Sequence, residues 1–210
     1  EWESSPAARA RAAELGLASP ARLHGWFLGR VQEYLAGRGR RAISWAEAEL
    51  HGDLNPEMVL SAWLDAAHGA RGVEQGHQVL MTAHLSTYLD YPQRDDPSEP
   101  PGNPKEIVTL ADVYGFDPLV GGLPVADPGG SAAGVLGTQA QLWTEHVTTW
   151  EHARYLLLPR LCAFAEVAWS DGERDAADFE RRLGPHMARL EAAGLTADAP
   201  APSAVSVPAS

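Results

Sequence analysis

The segment Gly137-Thr-Gln-Ala-Gln-Leu-Trp-Thr-Glu-His146 (GTQAQLWTEH) ends a run of small and apolar residues that predicts a buried strand over Val135 to Leu142. Trp143 and Glu145 follow, and residues two apart in an extended chain point to the same side. An aromatic ring and a carboxylate on one side of a strand end can stack on the apolar face of a sugar ring and accept a hydrogen bond from a hydroxyl group. The alternative is that Trp143 belongs to the core, as many Trp residues do, and that Glu145 is a solvated loop charge.

Three further strands precede this one and alternate with helices. We predict the strands at residues 41–45, 58–63 and 78–82, and helices at residues 6–15, 23–35, 66–75 and 176–193, with a long helix from residue 148. Such alternation predicts a parallel sheet covered by helices. A closed barrel of this kind needs about eight strands and roughly 250 residues. The prediction is therefore an α/β fold, the C-terminal half of a (β/α)8 TIM barrel, with four parallel strands alternating with helices.

The last part of the chain gives two local predictions and a domain boundary. Thr148 and Glu151 have the spacing of a capping box at the start of the long helix. Pro159 should kink that helix or lie within its first turns. We assign residues 1–195 to the partial barrel and the Ala/Pro/Ser-rich residues 196–210 to a disordered tail.

The overall charge limits the classes of partner that the chain can bind, and the cysteine content limits its disulfide bonds. The formal charge of −12 argues against nucleic acid or an anionic membrane surface as partner, since either would repel the chain. Cys162 is the single cysteine, so an internal disulfide is ruled out and the compartment stays open. There is no signal segment and no apolar run long enough to span a membrane, so cytoplasmic and secreted locations both remain open.

Every predicted strand is followed by an aromatic residue, a carboxylate or both. In barrels of strands and helices the functional groups lie at that end of the strands. Three indoles, a phenol and two carboxylates without Arg or Lys fit a neutral sugar better than an anionic one. The candidate substrate-binding residues are Trp45, Trp63, Tyr88, Asp90, Trp143 and Glu145. The alternative is a set of independent core aromatics, each stabilising its strand by about 2–3 kcal/mol.

Several other kinds of site lack their sequence motif. No Gly-rich phosphate loop follows a strand, which argues against nucleotide binding. No His pair has the His-x-x-x-His spacing of a zinc site, and no Gly-x-Ser-x-Gly elbow indicates a serine hydrolase. We therefore expect no metal and no cofactor.

Five motifs together resemble a known family. They are Ser-Trp-Ala-Glu at 44–47, Ser-Ala-Trp at 61–63, Tyr-Leu-Asp-Tyr at 88–91, the segment GTQAQLWTEHV from 137, and PRLCAFAEVAWS from 159. In this order they resemble the catalytic barrel of family 20 glycoside hydrolases, the β-N-acetylhexosaminidases. The resemblance runs from about residue 1 to residue 170.

The resemblance implies a retaining, substrate-assisted hydrolysis of terminal, non-reducing N-acetylglucosamine or N-acetylgalactosamine, an exception to the two-carboxylate scheme. In it the 2-acetamido oxygen of the substrate attacks the anomeric carbon, an Asp orients the acetamide, and a Glu acts as acid and then base. By motif match the three indoles would line the acetamido pocket, and Tyr88 would hydrogen-bond the acetamide oxygen. Asp90 and Glu145 would hold the outer hydroxyls of the sugar.

The sequence also departs from the family pattern. The catalytic Asp-Glu pair of the family has no match here, because no Asp-Glu dipeptide occurs in the chain. The sugar-binding Arg of the first barrel strand is missing too, and Ala46 and Pro92 replace residues common in the family. We therefore assign no catalytic residue within this chain, expect the acid/base pair upstream of Glu1, and expect the 210-residue chain alone to be inactive.

The prediction is that the whole protein is a glycoside hydrolase, a β-N-acetylhexosaminidase. Its expected partners are N-acetylhexosamine-terminated glycans or chitooligosaccharides and the missing N-terminal half of the barrel. The alternative is a non-catalytic carbohydrate-binding module or an inactive fragment.

Overall fold

The computed structural model describes residues 1–47, 54–170 and 173–196. These residues form two compact units. The first comprises the described residues of Glu1–Met81 together with Pro118–Gly137, and the second comprises Thr82–Asp117 together with the described residues from Thr138 onward. The tail predicted at 196–210 lies outside the described residues apart from Thr196.

A parallel sheet forms the centre of the first unit. Its strands are β1 (Ile43–Trp45), β2 (Val59–Ala62), β3 (Gln78–Met81) and β4 (Gly134–Thr138), and they lie side by side in chain order. Parallel pairing sets Trp45 opposite Ser61 and Ala62 opposite Met81. Every residue of β2 is buried, as expected for a central strand covered on both faces. The predicted class, four parallel strands alternating with helices, is confirmed.

Helices connect and follow the strands among the described residues. They are α1 (Pro6–Glu14), α2 (Arg22–Ala36), α3 (Ala66–Glu74), α4 (His84–Thr87), α5 (Leu110–Tyr114), α6 (Trp150–Leu157), α7 (Arg160–Trp169) and α8 (Ala176–Ala192). The five helices predicted from the sequence all occur, although the last-but-one is divided. The short helix α4 was not predicted, because the sequence pattern of β3 continues into it without a break.

The long helix expected from residue 148 is in fact two helices. Thr149, not Thr148, is the N-cap, and its side chain accepts a hydrogen bond from the His152 amide at 3.1 Å. The predicted Thr148–Glu151 capping box is therefore wrong by one residue. Pro159 lies between α6 and α7, because proline offers no amide to continue a helix and its ring excludes the preceding turn.

Strand β4 ends at Thr138, earlier than the predicted Leu142. The neighbouring stretch of chain turns into α4 and gives residues 139 and 140 no extended partner. Pairing resumes where that stretch becomes extended again, with a parallel bridge between Tyr88 and Gln141. The Leu89 amide donates to the Gln141 carbonyl at 2.7 Å, and the Gln141 amide donates to the Thr87 carbonyl at 2.9 Å. This pairing places the segments after β3 and β4 beside each other.

Helix α3 packs closely on the sheet because glycine faces it at two positions. Gly69 and Gly72 are both buried. A Cβ atom on Gly72 would lie 3.1 Å from Leu60 Cδ1 and 3.1 Å from Val79 Cγ2, at the limit of side-chain contact. Fully buried side chains of β2 and β3 therefore occupy the space that a larger residue would need.

We expect Gly72→Leu to lower the free energy of unfolding by about 1–3 kcal/mol, the usual cost of overpacking a filled core. The matched control is Gly29→Leu in α2, where an added Cβ meets no atom within 4 Å. That control should raise stability slightly, because glycine inside a helix costs roughly 1 kcal/mol relative to a good helix former. Urea denaturation of both variants measures the difference. Equal effects at the two positions would contradict this account of the α3 packing.

Candidate functional site

Two of the predicted site residues lie at the carboxyl ends of neighbouring strands in the first unit. Trp45 is the last residue of β1, and Trp63 directly follows β2. The Ala46 amide donates to the Ser61 carbonyl at 3.0 Å and extends the pairing up to these indoles. Trp45 is 39% exposed and Trp63 is half-buried, so Trp45 is not one of the core aromatics. Both indoles therefore lie at the end of the sheet where parallel α/β folds bind ligands.

The second unit holds the other four residues. The Tyr88 and Trp143 rings lie 6.1 Å apart between centroids with planes tilted by 47°. Tyr88 is buried, and Trp143 is 36% exposed. The structure thus brings this predicted aromatic pair together, through the bridge at Gln141.

Glu145 is exposed, and its backbone differs from the prediction. Residues Thr144–His146 form a single 3-10 turn, which Trp143 precedes as N-cap. The two-residue alternation of an extended strand does not apply within a turn, so the argument that Trp143 and Glu145 point to the same side of a strand is wrong. The turn forms because the extended pairing of this segment ends near Gln141, which leaves the following amides to bond locally, as His146 does to the Trp143 carbonyl at 3.4 Å.

Asp90 is completely buried, which is rare for a carboxylate without a cation partner. Its Oδ2 accepts a hydrogen bond from Asn103 Nδ2 at 3.1 Å. Its Oδ1 is buried and makes no hydrogen bond of ordinary geometry to any described residue. Burial raises the pKa of Asp90, while the Asn103 amide, the nearby backbone amides of Asp90 and Trp143, and the charge of His146 act in the opposite direction. Asn103 thus holds one oxygen, while the other makes no hydrogen bond of ordinary geometry and has only the looser approach of backbone amides.

A His–Tyr cluster that the sequence did not indicate surrounds Tyr88. His84 Nδ1 lies 3.1 Å from the Tyr91 hydroxyl, and the Tyr88 and Tyr91 rings stack at 6.0 Å. His84 also meets both tyrosine rings edge-on. The cluster forms where α4 ends and the chain becomes extended again at Tyr88, and it was missed because this whole stretch was assigned to a strand end.

Arg160 is the second residue that sequence reasoning missed. Its guanidinium is fully buried and donates to the Val108 carbonyl at 2.6 Å, to the Leu89 carbonyl at 2.8 Å and to the Leu156 carbonyl from two nitrogens. Desolvation lowers the pKa of Arg160 to about 10, so it remains charged at neutral pH. An arginine on the apolar face of the helix after Pro159 was the available signal. The contact to Leu89 fixes the backbone directly before Asp90.

The described ranges contain neither a candidate metal site nor a candidate membrane-spanning helix. Over residues 1–47, 54–170 and 173–196, no group of three or more His, Cys, Asp or Glu side chains could hold a metal ion. Within the same ranges, none of the helices is long and apolar enough to cross a bilayer.

Comparison with known proteins then gives the family. A family model described as "Glycosyl hydrolase family 20, catalytic domain" matches residues 1–172. The chain belongs to glycosyl hydrolase family 20. The resemblance noted from the five sequence motifs is thereby confirmed.

Sequence similarity to individual proteins is consistent with membership of this family. This family 20 chain is 32% identical over 203 residues to a β-hexosaminidase from Porphyromonas gingivalis, covering 96% of the chain and 25% of that protein. It is 33% identical to a β-hexosaminidase from Vibrio furnissii, covering 78% of the chain and 26% of that protein. The chain therefore spans about a quarter of the length of these curated relatives.

A solved structure extends the likeness to three dimensions. The family 20 exo-β-N-acetylglucosaminidase from Vibrio harveyi, determined in complex with N-acetylglucosamine, superposes with a TM-score of 0.80 at 30% identity. The match covers 94% of this chain and 31% of that one. Four parallel strands in chain order, matched to part of a larger barrel enzyme, confirm the predicted half of a (β/α)8 barrel.

The raised pKa of Asp90 leads to a stability prediction. A carboxyl group whose pKa is higher in the folded than in the unfolded chain makes stability fall as pH rises from the unfolded pKa, about 4, through the folded pKa. Above the folded pKa the full penalty of the buried charge remains. We therefore expect Asp90→Asn to raise the melting temperature by a few degrees at pH 7 and to change it little near pH 3, as measured by calorimetry.

Asp65→Asn is the control for this prediction. The Asp65 pKa is lowered, chiefly by its hydrogen bonds with His68, so loss of its charge should slightly lower stability at pH 7. A clear loss of stability in Asp90→Asn at pH 7 would show that the buried charge stabilises the fold instead.

Proposed function

We propose that this family 20 chain supplies the sugar-binding subsite of a β-N-acetylhexosaminidase, which hydrolyses terminal, non-reducing N-acetylglucosamine or N-acetylgalactosamine. The observation that carries the proposal is Asp90, a fully buried carboxylate whose Oδ1 makes no hydrogen bond of ordinary geometry to a described residue. The Trp143 backbone amide and the His146 charge both act to lower the Asp90 pKa, which requires that the carboxylate lie close to Trp143 of the Tyr88–Trp143 pair. A buried acceptor beside aromatic rings is what recognition of a sugar requires, because the ring stacks on aromatics while its hydroxyls need partners.

Each candidate side chain of the second unit has a proposed role in that subsite. Trp143 stacks on the sugar, and Tyr88 donates a hydrogen bond to the acetamide oxygen as it attacks the anomeric carbon. Asp90 and Glu145 accept hydrogen bonds from the outer hydroxyls, and Glu145 is exposed and able to reach a ligand. Trp45 and Trp63 keep the role that the family resemblance implies, as indoles that contact the acetamido group. Recognition of outer hydroxyls would restrict the enzyme to the terminal sugar.

The acid/base step needs residues that this sequence does not contain. In the proposed substrate-assisted reaction an Asp orients the acetamide while a Glu protonates the leaving oxygen and then activates water. No Asp-Glu dipeptide occurs in the 210 residues, and we assign the general acid to none of the carboxylates described above. We propose that a segment outside this chain, the N-terminal half of the barrel, contributes the pair.

The absence of an Asp-Glu pair from the sequence also favours one alternative, a non-catalytic binding protein. A chain that keeps the sugar subsite without an acid/base pair would act as a carbohydrate-binding module. The two functions share the subsite and differ in turnover, so separate binding and turnover measurements distinguish them.

The binding prediction concerns N-acetylglucosamine. We expect calorimetric titration to show saturable binding by the wild-type chain, and Asp90→Asn or Trp143→Ala to weaken it by about tenfold or more, since a lost hydrogen bond to a charged group or a lost stacking contact costs about 1.5–3 kcal/mol. The control is Trp169→Ala, which removes an indole that is 87% exposed at the end of α7. Equal affinity of wild type, Asp90→Asn and Trp143→Ala would exclude this subsite.

The turnover prediction concerns the chain by itself. We expect no release of chromophore from 4-nitrophenyl N-acetyl-β-glucosaminide, because the acid/base residues are missing. Turnover that Glu145→Gln abolishes would contradict this, since it would place the acid within the 210 residues.

A further inference from the structure

Asn103 holds the buried Asp90 carboxylate through a side-chain hydrogen bond, from Nδ2 to Oδ2. The two residues are also joined by their backbones, since the Asn103 amide donates to the Asp90 carbonyl at 2.8 Å. Asn103 is itself buried, at 8% exposure. Two hydrogen bonds thus link Asp90 to a loop residue thirteen positions later.

The orientation of the Asn103 amide follows from its neighbours. Its Oδ1 accepts a hydrogen bond from the Lys105 backbone amide at 3.3 Å. A backbone amide can only donate, so Oδ1 must face Lys105 and Nδ2 must face Asp90. Asn103 therefore presents a donor to the carboxylate, and this assignment does not rest on the choice of amide rotamer.

Close packing fixes the loop against Asp90. A Cβ atom on Gly102 would lie 2.5 Å from the Asp90 carbonyl oxygen and 3.1 Å from the Pro92 nitrogen, so only glycine allows the backbones to approach this closely. Further along the loop, Glu99 accepts hydrogen bonds from the Gln93 amide at 2.7 Å and from the Tyr155 hydroxyl at 2.6 Å. A segment rich in Pro and Gly is thus held by hydrogen bonds that are buried at Asn103 and partly buried at Glu99.

We propose that Asn103 is a positioning residue: it holds Oδ2 of Asp90 and thereby directs Oδ1 to accept a hydrogen bond from a hydroxyl of the bound sugar. The inference rests on the proposed function and goes beyond it by assigning the residue that orients the acceptor. Without the Asn103 side-chain amide, the carboxylate could turn about its Cβ–Cγ bond. A protonated Asp90 would also carry a hydroxyl donor of its own and could no longer accept the hydrogen bond from the sugar hydroxyl in the same way.

Several other groups also affect the pKa of Asp90, and their effects must be distinguished from the effect of Asn103. Burial is the largest effect and raises the Asp90 pKa, and Asn103 is the largest of the effects that lower it. His146 lowers it further, while Arg160 and Tyr91 each sense the Asp90 charge. Loss of the Asn103 donor should therefore raise the pKa of Asp90, whereas the other groups stay in place.

The test compares Asn103→Leu with Gln93→Leu in the 210-residue chain. Gln93 has a buried side-chain amide near the same loop, and it donates to the Tyr155 and Leu158 carbonyls. Gln93→Leu therefore removes a buried amide donor, as Asn103→Leu does, but leaves the hydrogen bond to the Asp90 carboxylate in place. Carbon-detected NMR follows the Asp90 carboxyl titration, and calorimetry follows N-acetylglucosamine affinity against pH. Asn103→Asp is the second variant, because it keeps the side-chain size if the leucine variant fails to fold.

We expect both Asn103 variants to raise the pKa of Asp90 and to shift the acidic fall in sugar affinity upward by about one pH unit. For Asn103→Leu, affinity should recover towards wild type at high pH. Gln93→Leu should lower the melting temperature while leaving both pH profiles in place. A purely structural role for Asn103 would instead weaken binding equally at every pH.

The outcomes separate this inference from the function on which it rests. An Asp90 titration unchanged in both Asn103 variants overturns the positioning role even if the wild-type chain binds the sugar. Absence of sugar binding by the folded wild-type chain overturns the proposed function, and the ligand role of Asn103 with it, even if the Asp90 titration responds to Asn103.

Discussion

The second unit depends on the buried guanidinium of Arg160. Its hydrogen bonds reach the carbonyls of Leu89, Val108 and Leu156, which belong to three segments far apart in the sequence. Burial of a charge is costly unless its donors are satisfied, and carbonyls buried without donors are costly as well. Arg160 resolves both problems together, because the irregular backbone near Leu89 and Val108 has few regular partners of its own. The backbone next to Asp90 is therefore held by the first residue of α7.

Burial of the Asp90 carboxylate lowers the stability of the fold, and the hydrogen bonds of Arg160 to the neighbouring backbone offset this. A fully buried carboxylate with an incompletely satisfied oxygen opposes folding, and burial raises the pKa of Asp90 for the same reason. Polar groups left unsatisfied in an otherwise well-packed interior are typical of functional sites. Asn103 and Arg160 hold the surrounding backbone on two sides, so the carboxylate stays in place although its own contacts do not favour burial. In the function proposed above, this arrangement recognises a hydroxyl group of the sugar.

The sequence predicted the regular elements well and the contacts between them less well. The four strands and five helices follow from local patterns of apolar residues, Gly and Pro, and those patterns suffice where a single element is concerned. The errors lie where neighbouring segments decide the outcome. Strand β4 ends early because the adjacent chain turns into α4, and Glu145 lies in a turn because the pairing near Gln141 stops. Neither event is visible from the residues of the affected segment alone.

The sequence alone determined the α/β class, the family and the residue types available at the strand ends, because these depend on short-range patterns and on motifs in a fixed order. The tertiary structure alone decided which of those groups are buried, which are paired and which remain available. The sequence marked Asp90 as a candidate hydroxyl-binding residue but gave no sign of its burial, and it singled out neither Asn103 nor Arg160. Their roles arise from hydrogen bonds between residues that are 13, 52 and 71 positions apart, and chain folding, not local sequence, brings such residues together.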